Sequence, residues 1–323
     1  MTARIRIALV GSGTMGSLHA RVVVGHDRTR LAAVIDPDRT IGQATAQRFG
    51  ATWAAALEDV RNIDAVIVAA ATQHHHAIGQ RVLEHRLPLL MEKPLADTLA
   101  DAEDLVARSR RDDVPLMCGL LERYNPGILT AMSLLRTPLQ ITAQRHSPYV
   151  ARIRTGVASD LLIHDADIVV RMMGGEPSHV VGSMGYLHPD SEPTAEDVAE
   201  ALLTFPGGGV ANVSASRMSQ RKVRGFVIHE IDRLIEVDML RNAVTLYRHV
   251  LGENTEDGLS YKQQTIIEIP QLVTSREPLA AQLDRFVDLV DGSVDLEEER
   301  STILPGHRVV EAVRQSVAQT AVS

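Results

Sequence analysis

Short apolar runs alternate with helical patterns over the first 120 residues of the chain. Nearly continuous apolar runs are typical of strands buried on both faces of a sheet, and they occur at 5–10, 31–36, 64–70, 88–91 and 115–119. Amphipathic segments between them predict helices at 15–24, 40–49, 76–85 and 96–111, with Asp97 as the N-cap of the last one. This alternation predicts a doubly wound parallel sheet, and hence an α/β fold, for residues 1–120.

From Gln140 onward the apolar positions alternate with polar ones, which is typical of antiparallel strands with one exposed face. Strands are predicted at 139–144, 179–186, 199–205, 210–216, 222–229, 234–239 and 244–249. Helices are predicted at 160–173, 279–290 and 304–321. We therefore expect a second domain over residues 121–323, an α+β domain with one large, mainly antiparallel sheet, whose last helix can pack back on the first domain.

The first strand runs directly into a glycine-rich turn with G-x-G-x-x-G spacing, Gly11, Gly13 and Gly16. Such glycines permit a tight turn, close approach to a pyrophosphate and close packing of helix on strand. A predicted helix begins at Thr14 and Met15, and the backbone N–H groups at its N-terminus attract phosphate. The turn predicts dinucleotide binding, and the alternative is a glycine-rich turn of another α/β protein.

Asp36 ends the second apolar run, 20 residues beyond Gly16. A carboxylate at this position accepts hydrogen bonds from the adenosine ribose and repels a 2′-phosphate, so NAD is favoured over NADP. Arg39 nearby keeps NADP open. A cap of the turn before Pro37 is the structural alternative for Asp36.

The tripeptide Glu92-Lys93-Pro94 follows a predicted parallel strand, where ligands of open α/β sheets bind. The ammonium group of Lys93 could donate to a substrate hydroxyl or stabilise an alkoxide, and a cis Lys93–Pro94 bond would fix its direction. The alternative for Lys93 is a solvated loop lysine.

Asp160 and His164 are four residues apart in a predicted helix, so their side chains share one face. A histidine suits the transfer of a hydroxyl proton, and a neighbouring carboxylate can orient it. The alternative is a capping aspartate beside an incidental histidine. We expect no metal site here, because two ligands without thiolates do not make one, and none at 74–76, since adjacent histidines on a turn cannot converge.

The composition limits the classes of partner. The 33 basic and 41 acidic residues give a net charge of −8, and aromatic residues make up 3% of the chain, which disfavours nucleic acid and anionic membranes. No apolar run reaches the length of a membrane span, so no span is expected, and no signal peptide is expected before the first strand. Cys118, the single cysteine, lies in an apolar run and fits a reducing, cytoplasmic location.

With these motifs together, the chain resembles the Gfo/Idh/MocA family of sugar and cyclitol oxidoreductases over nearly its whole length. The resemblance rests on GSGTMG continuing into SLHAR, on Asp36, and on the segments MEKPLA, ERYNP and DLLIHDAD. The last two, with the EKP tripeptide, are most similar to the branch that contains UDP-N-acetylglucosamine 3-dehydrogenases. Ala71 stands where many members have proline.

The resemblance implies a Rossmann domain, a second domain with an open-faced sheet that often forms the oligomer interface, and hydride transfer between a ring carbinol and nicotinamide. It implies that Lys93, Asp160 and His164 are catalytic and contact the substrate. Cofactor contacts are implied for Gly11, Gly13, Thr14, Met15, Gly16, Asp36, Thr72, His75, Glu92 and Lys93. A homodimer or homotetramer is expected.

Substrate contacts are further expected from Arg123 and Tyr124, although Asn125 and Pro126 beside them are also typical of a helix start. The segment 145–154, with Arg145, His146, Tyr149, Arg152 and Arg154, is interpreted as a loop that grips a diphosphate, and thus a nucleotide sugar. A solvated basic loop is the alternative. A sensor that binds dinucleotide or sugar without turnover, and an imine or enone reductase, stay open as functions.

Overall fold

A computed structural model describes residues 4–151, 153–251 and 263–320. The chain divides into two compact units. The first comprises Met1–Leu121 and Glu277–His307, and the second comprises Glu122–Arg276 and Arg308–Ser323. The second unit is thus narrower than the expected domain 121–323, because residues 277–307 fold with the first unit.

The first unit contains the predicted parallel sheet, with strand order β3-β2-β1-β4-β5-β6 and parallel pairing throughout. Its strands are β1 (Ile5–Val10), β2 (Thr29–Ile35), β3 (Thr52–Ala54), β4 (Ala65–Val68), β5 (Leu89–Glu92) and β6 (Leu116–Gly119). Its helices are α1 (Thr14–Val24), α2 (Arg39–Phe49), α3 (His75–Glu84), α4 (Leu99–Asp112), α7 (Pro278–Val290) and α8 (Leu296–Ser301). The doubly wound fold is confirmed, whereas the three-residue β3 and the six-residue α8 were too short for the pattern to predict.

One predicted cap is wrong. Thr98, in extended conformation, is the N-cap of α4, and its hydroxyl accepts the Asp101 amide at 3.1 Å. Asp97 therefore lies one position before the helix boundary. Gly50 ends α2 in the left-handed conformation (φ 70°), which glycine adopts without a steric penalty.

Residues 277–307 are tied to the first unit by α7, which packs against α1, and by a buried arginine. The Arg300 guanidinium donates to the carbonyl oxygens of Ser109 at 3.2 Å and Val114 at 3.1 Å. Ser109 lies in the last turn of α4, where helix carbonyls lack partners within the helix, and Val114 lies two residues beyond the end of α4. The contact gives a physical reason for the return of the chain to the first unit.

The second unit contains an eight-stranded sheet with order β14-β13-β12-β11-β7-β10-β9-β8, in which only β7 and β10 pair in parallel among the described strands. The strands are β7 (Gln140–His146), β8 (His179–Gly185), β9 (Val198–Thr204), β10 (Val210–Ser216), β11 (Val223–His229), β12 (Leu234–Asp238), β13 (Ala243–Leu251) and β14 (Gln263–Glu268). All seven predicted strands of this region are present, and β14 was not predicted.

Two helices of the second unit, α5 (Pro126–Leu134) and α6 (Ile163–Met172), come before strand β8 in the chain. Asn125 caps α5 by accepting the Gly127 amide, with Pro126 in the first turn, so the helix-start alternative for this segment is confirmed. The final helix is α9 (Leu304–Thr320), and the predicted end at residue 321 lies outside the described residues. Within the described chain, no helix combines the length and apolar character needed to cross a membrane.

Candidate active site

The glycine turn after β1 has the geometry that its spacing predicts. Gly11 adopts φ +95°, and a Cβ there would lie 2.6 Å from the Ala69 carbonyl oxygen at the end of β4. A Cβ on Gly16 would lie 2.0 Å from the Gly11 carbonyl oxygen. A Cβ on Gly13, in contrast, would meet nothing within 4 Å. The turn is packed on its inner side and open at Gly13, as close approach of a ligand requires.

The start of α1 offers donors to an anion. Gly13 is the N-cap and supplies no side-chain cap, and the first turn, which includes Thr14, Met15 and Gly16, has no acidic residue. The hydroxyl of Ser12 is buried and has no hydrogen-bond partner among the described residues. The N-terminus of α1, the unpaired Ser12 hydroxyl and the open space at Gly13 fit the pyrophosphate of a dinucleotide.

Asp36 follows β2 and is held beside the glycine turn. Its Oδ2 accepts the Ser12 amide at 2.8 Å, and its Oδ1 accepts the Asp38 amide at 2.9 Å. Each carboxylate oxygen can accept a second hydrogen bond, so the group can still accept from ribose hydroxyls. The cap alternative for Asp36 is compatible with that role, because the Asp38 contact closes a local turn.

Arg39, which keeps NADP open, lies over the Trp53 ring with its guanidinium carbon 5.6 Å from the ring centroid. Trp53 in turn donates from its indole nitrogen to the Asp36 carbonyl oxygen at 3.1 Å. Trp53 lies on β3, which the sequence pattern did not predict. Trp53 therefore contacts the backbone of Asp36, which the local sequence spacing could not show.

Glu92, the first residue of the EKP tripeptide, ends β5, and the Lys93–Pro94 bond is cis, the conformation that the sequence left open. Glu92 is buried, and its Oε1 lies 2.7 Å from Nε2 of His19 on α1. Its Oε2 accepts the Lys93 amide at 3.2 Å. A Cβ on Gly119 would lie 3.0 Å from the same carboxylate. Glu92, expected to contact the cofactor, instead uses its carboxylate for contacts inside the first unit.

Thr72 and His75 follow β4, at the start and after the end of a short 3-10 helix, Thr72–His74. His75 is buried, with Nδ1 2.9 Å from the Pro94 carbonyl oxygen and Nε2 3.0 Å from the Ala70 carbonyl oxygen. Its ring nitrogens are therefore directed at the backbone rather than at an open surface, which differs from the expected cofactor contact. Thr72 is half-buried.

The histidines on either side of His75 have other partners. His76 lies 2.7 Å from the Asp104 carboxylate, and His74 lies 3.2 Å from the Gln73 amide nitrogen. The three rings thus diverge, as the turn geometry predicts. In the described parts of the chain, no group of three or more His, Cys, Asp and Glu side chains is arranged to hold a metal ion.

Asp160 lies in a π-helical turn, Ala158–Leu162, which continues directly into α6. The sequence predicted an uninterrupted α-helix from 160, so the turn is wider than expected; such turns occur frequently at functional sites. The turn is capped by Glu196, whose Oε1 accepts the Ala158 amide at 2.7 Å, and not by Asp160. His164 lies in the first turn of α6 and is half-buried.

Arg217, just after β10, is the partner of Asp160 that sequence reasoning missed. Its guanidinium donates to Asp160 Oδ2 at 2.7 Å and also to the Thr155 carbonyl oxygen. The Arg217 side chain is 4% exposed and that of Asp160 is 26% exposed, so Arg217 is buried and Asp160 is partly exposed. The 57 residues between them leave no spacing signal that could have revealed the pair.

Arg123 and Arg145 are not available to a substrate in the way expected. Arg145 donates to Asp165 of α6 at 2.6 Å and 3.0 Å and to Glu122 at 2.7 Å, and it is buried. Arg123 is buried as well and donates to Asp167 of α6 at 2.8 Å and 2.6 Å. Both guanidinium groups anchor α6, the helix that carries His164, because buried charges require partners.

Burial and charge pairing act in opposite directions on the pKa values of Arg145 and Asp165. Burial acts to lower the pKa of Arg145, but the carboxylates of Asp165 and Glu122 outweigh it and raise the pKa above its ordinary value. Burial raises the pKa of Asp165, and Arg145 only partly offsets this effect. Arg145 therefore remains a cation, and the negative charge of Asp165 depends on it.

His146 and Tyr149, also predicted to grip the diphosphate, have different partners. His146 follows Arg145 in β7 and points to the opposite face of the sheet, because side chains alternate along a strand. Its Nε2 lies 2.7 Å from the Ser214 hydroxyl. Tyr149 stacks on His188 with ring centroids 3.6 Å apart and donates to the Asp190 carbonyl oxygen at 2.7 Å.

Arg154 is 81% exposed and lies 3.6 Å from a carboxylate oxygen of Glu192, whereas Arg152 lies outside the described residues. Tyr124 ends a 3-10 helix, Leu121–Tyr124, and is half-buried. Of the residues expected to grip the diphosphate, Arg154 is exposed and Tyr149 and His146 are half-buried. The single continuous diphosphate grip is therefore not formed by residues 145–149 together.

The parallel sheet, the glycine turn and the acid at Asp36 define the first unit as a dinucleotide-binding Rossmann domain attached to a second α+β unit. The chain belongs to the GFO/IDH/MocA family of oxidoreductases. The family's NAD-binding Rossmann model matches residues 5–120, and its C-terminal domain model matches residues 135–231. NAD is accordingly the cofactor.

Named relatives act on sugars and cyclitols. The chain is 25% identical over 289 residues to a UDP-N-acetylglucosamine 3-dehydrogenase from Acidithiobacillus ferrooxidans, covering 88% of each chain. It is 27% identical to a myo-inositol 2-dehydrogenase from Thermotoga maritima over 251 residues, 72% of each chain.

The fold has close counterparts among solved structures. That of the Acidithiobacillus ferrooxidans dehydrogenase superimposes with a TM-score of 0.87 at 24% identity, over 98% of this chain and 99% of the other. GenD2 of gentamicin A biosynthesis, solved with NAD, gives a TM-score of 0.83 at 23% identity over 99% and 96% of the two chains. The two-domain family fold expected from the sequence is confirmed.

Proposed function

We propose that the protein is an NAD-dependent dehydrogenase or ketoreductase that acts on a ring carbinol or ketone of a nucleotide sugar. The observation that carries the proposal is the Asp160–Arg217 pair, which holds a partly open carboxylate one helical turn before His164. A carboxylate fixed beside a histidine suits proton transfer to and from a hydroxyl. The relatives that act on sugars and cyclitols support the substrate class.

In this proposal His164 takes the hydroxyl proton of the substrate and returns it in the reverse direction. Asp160 orients the imidazole and stabilises its positive charge. Lys93 donates to the same substrate oxygen and stabilises its alkoxide character. The nicotinamide, when bound, supplies the acceptor or donor of the hydride.

We assign cofactor binding to the glycine turn, the first turn of α1, and Asp36. The unpaired Ser12 hydroxyl and the open space at Gly13 support placement of the pyrophosphate there. Asp36, with both oxygens already oriented by backbone amides, supports ribose recognition and a preference for NAD over NADP.

The substrate class rests on the nucleotide-sugar relative, since Arg145 of the expected diphosphate loop is buried. Arg154, which is exposed, and Tyr149, which is half-buried, are the residues of this loop that could contact a nucleotide sugar. A free cyclitol is the second candidate, because one relative is a myo-inositol 2-dehydrogenase and a free cyclitol carries no diphosphate.

A substrate panel tests this function. Purified protein with NAD is offered UDP-sugars, matched free sugars and inositols, and formation of NADH is followed by its absorbance. A UDP-sugar oxidised faster than its free sugar supports the proposal. Equal or faster oxidation of inositol selects the cyclitol alternative. Binding of the panel compounds with no absorbance change in either direction would point to a sensor without turnover.

We further propose a cytoplasmic homodimer or homotetramer that associates through the large sheet and has no nucleic-acid or membrane partner. The sheet face opposite α6 carries exposed apolar side chains, among them Val181 at 49% and Leu202 at 52% exposure. The net charge of −8 disfavours nucleic acid and anionic membranes. Light scattering on the eluted protein tests the assembly, and a charged Leu202→Glu variant is expected to dissociate it.

A further inference from the structure

The segment from Glu92 to Leu95, which carries Lys93, is surrounded by three buried histidines of the first unit. His19 of α1 contacts the Glu92 carboxylate, His75 at the start of α3 contacts the Pro94 carbonyl, and His307 of α9 contacts the Leu95 amide. Each histidine comes from a different helix. The three contacts fix successive parts of the segment on both sides of Lys93.

His307 differs from the other two because it accepts a hydrogen bond. The Leu95 amide can only donate, and it lies 2.9 Å from Nε2 of His307. The Ile303 carbonyl oxygen can only accept, and it lies 2.8 Å from Nδ1. These two contacts require a neutral ring with its proton on Nδ1. The contact partners of His19 and His75, in contrast, are oxygens.

The burial of this contact makes the acceptor necessary. Leu95 is 0% exposed and His307 is 6% exposed, so water cannot readily replace the imidazole. A buried backbone N–H without an acceptor is strongly disfavoured. Loss of the acceptor is therefore expected to shift the backbone two residues after Lys93 rather than leave it in place.

We propose that His307 is a positioning residue for Lys93. Its Nε2 accepts a hydrogen bond from the Leu95 amide and thereby fixes the segment that carries the lysine. This role rests on the proposed function of Lys93. His307 does not need to contact substrate or cofactor. The sequence contains no spacing signal for the contact, because His307 lies 212 residues from Leu95.

Two substitutions separate positioning from simple packing. His307→Gln keeps an acceptor that can reach the Leu95 amide, whereas His307→Leu keeps similar bulk without one. His26→Leu is the matched control, because His26 is another histidine of the first unit, and its ring contacts Asp284 at 3.0 Å instead of this segment. Thermal unfolding is measured for all three variants.

The first readout is hydrogen exchange of the Leu95 amide, which requires no substrate. We expect exchange about tenfold faster or more in His307→Leu than in the wild type, with His307→Gln and His26→Leu close to the wild type. Unchanged exchange in His307→Leu overturns the proposal. Because this readout is independent of turnover, it is informative even if no sugar is oxidised and the proposed function fails.

The second readout is steady-state kinetics on the substrate that the panel identifies. We expect kcat to fall roughly 10- to 100-fold in His307→Leu, with KM for NAD changed by less than about threefold, and His307→Gln to recover most of the loss. Equal losses in His307→Gln and His307→Leu that follow a lower Tm overturn the proposal, since they indicate a structural role only.

Discussion

Arg217 donates a hydrogen bond to Asp160 over 2.7 Å although the two residues are 57 positions apart in the chain. Arg217 follows β10 and is almost fully buried, while Asp160 is on the turn that begins the α6 region. The sheet thus fixes a carboxylate on the neighbouring helix. This arrangement distinguishes Asp160 from the simple helix cap that its sequence position also allowed.

Replacement of Arg217 should impair catalysis more than cofactor binding. In Arg217→Ala the Asp160 carboxylate loses its fixed direction, and we expect kcat to fall about 10- to 100-fold with little change in NAD affinity. Arg217→Lys should retain part of the activity, because an ammonium group cannot reproduce both guanidinium contacts. Steady-state kinetics measures this, with the exposed Arg221→Ala as the control. Wild-type kcat in Arg217→Ala would show that Asp160 needs no fixed partner.

His164→Ala should remove proton transfer and leave the fold intact. We expect turnover to fall about 10²- to 10⁴-fold, the usual contribution of a general base. NAD binding, measured by calorimetry, should stay close to the wild type, since the glycine turn is in the other unit. A His164→Ala enzyme with normal turnover would eliminate the assignment of the base.

Asp36→Ala should weaken discrimination against NADP. The variant loses the acceptor for ribose hydroxyls and the charge that repels a 2′-phosphate, so we expect KM for NAD to rise roughly tenfold and the NAD/NADP preference in kcat/KM to fall by at least as much. Asp27→Ala, at an exposed acid, is the control. An unchanged preference would mean that another group selects the cofactor.

Arg145→Met should destabilise the second unit strongly, because it leaves Asp165 buried without its cation. We expect a loss of about 3–5 kcal/mol in the free energy of unfolding, measured in urea. The Arg6→Met variant breaks a pair with Asp64 at the surface, where water screens the two charges, and should destabilise the protein much less than Arg145→Met. Similar losses in the two variants would contradict the distinction between buried and surface pairs.

The buried carboxylate of Asp197 should make stability sensitive to acid. Burial acts to raise the pKa of Asp197, but hydrogen bonds from the His188 amide, the Ser191 hydroxyl and the Leu187 amide outweigh it, so the pKa is lowered. A lowered pKa in the folded state stabilises the protein above the unfolded value of about 3.9, and this contribution is lost as the pH falls through the folded pKa.

We therefore expect Asp197→Asn to be less stable than the wild type at neutral pH, with the difference shrinking below about pH 4. Urea unfolding at several pH values measures it. Because an amide has one acceptor oxygen, it cannot accept all three hydrogen bonds in the same way. A difference that stays constant down to acid pH would contradict the role of the charge.

Much of the fold follows from local patterns. Each predicted strand and helix of the first 120 residues is present, because the apolar periods reflect the faces that every element buries. The errors concern features too short or too context-dependent for a period, such as β3, α8 and the cap at Thr98. The return of residues 277–307 to the first unit also depends on contacts distant in sequence.

The candidate site divides in the same way. The glycine turn and Asp36 were predictable because their chemistry depends on spacing within one βαβ unit. The separate contacts of Arg145 and His146 were not predictable. The two residues are adjacent in the chain, but their side chains point to opposite faces of β7. Their place in a basic segment suggested that both bind one diphosphate, whereas the strand directs their side chains to different partners.

The sequence by itself determined the order of the elements, the two types of sheet, the dinucleotide turn and the residue types able to transfer a proton. Only the tertiary structure decided which charged groups are buried partners and which remain open. It paired Arg145 with Asp165, Asp160 with Arg217 and Leu95 with His307. The physical reason is that burial and hydrogen-bond partners arise from contacts between distant segments, and these contacts determine whether a polar side chain supports the fold or meets a ligand.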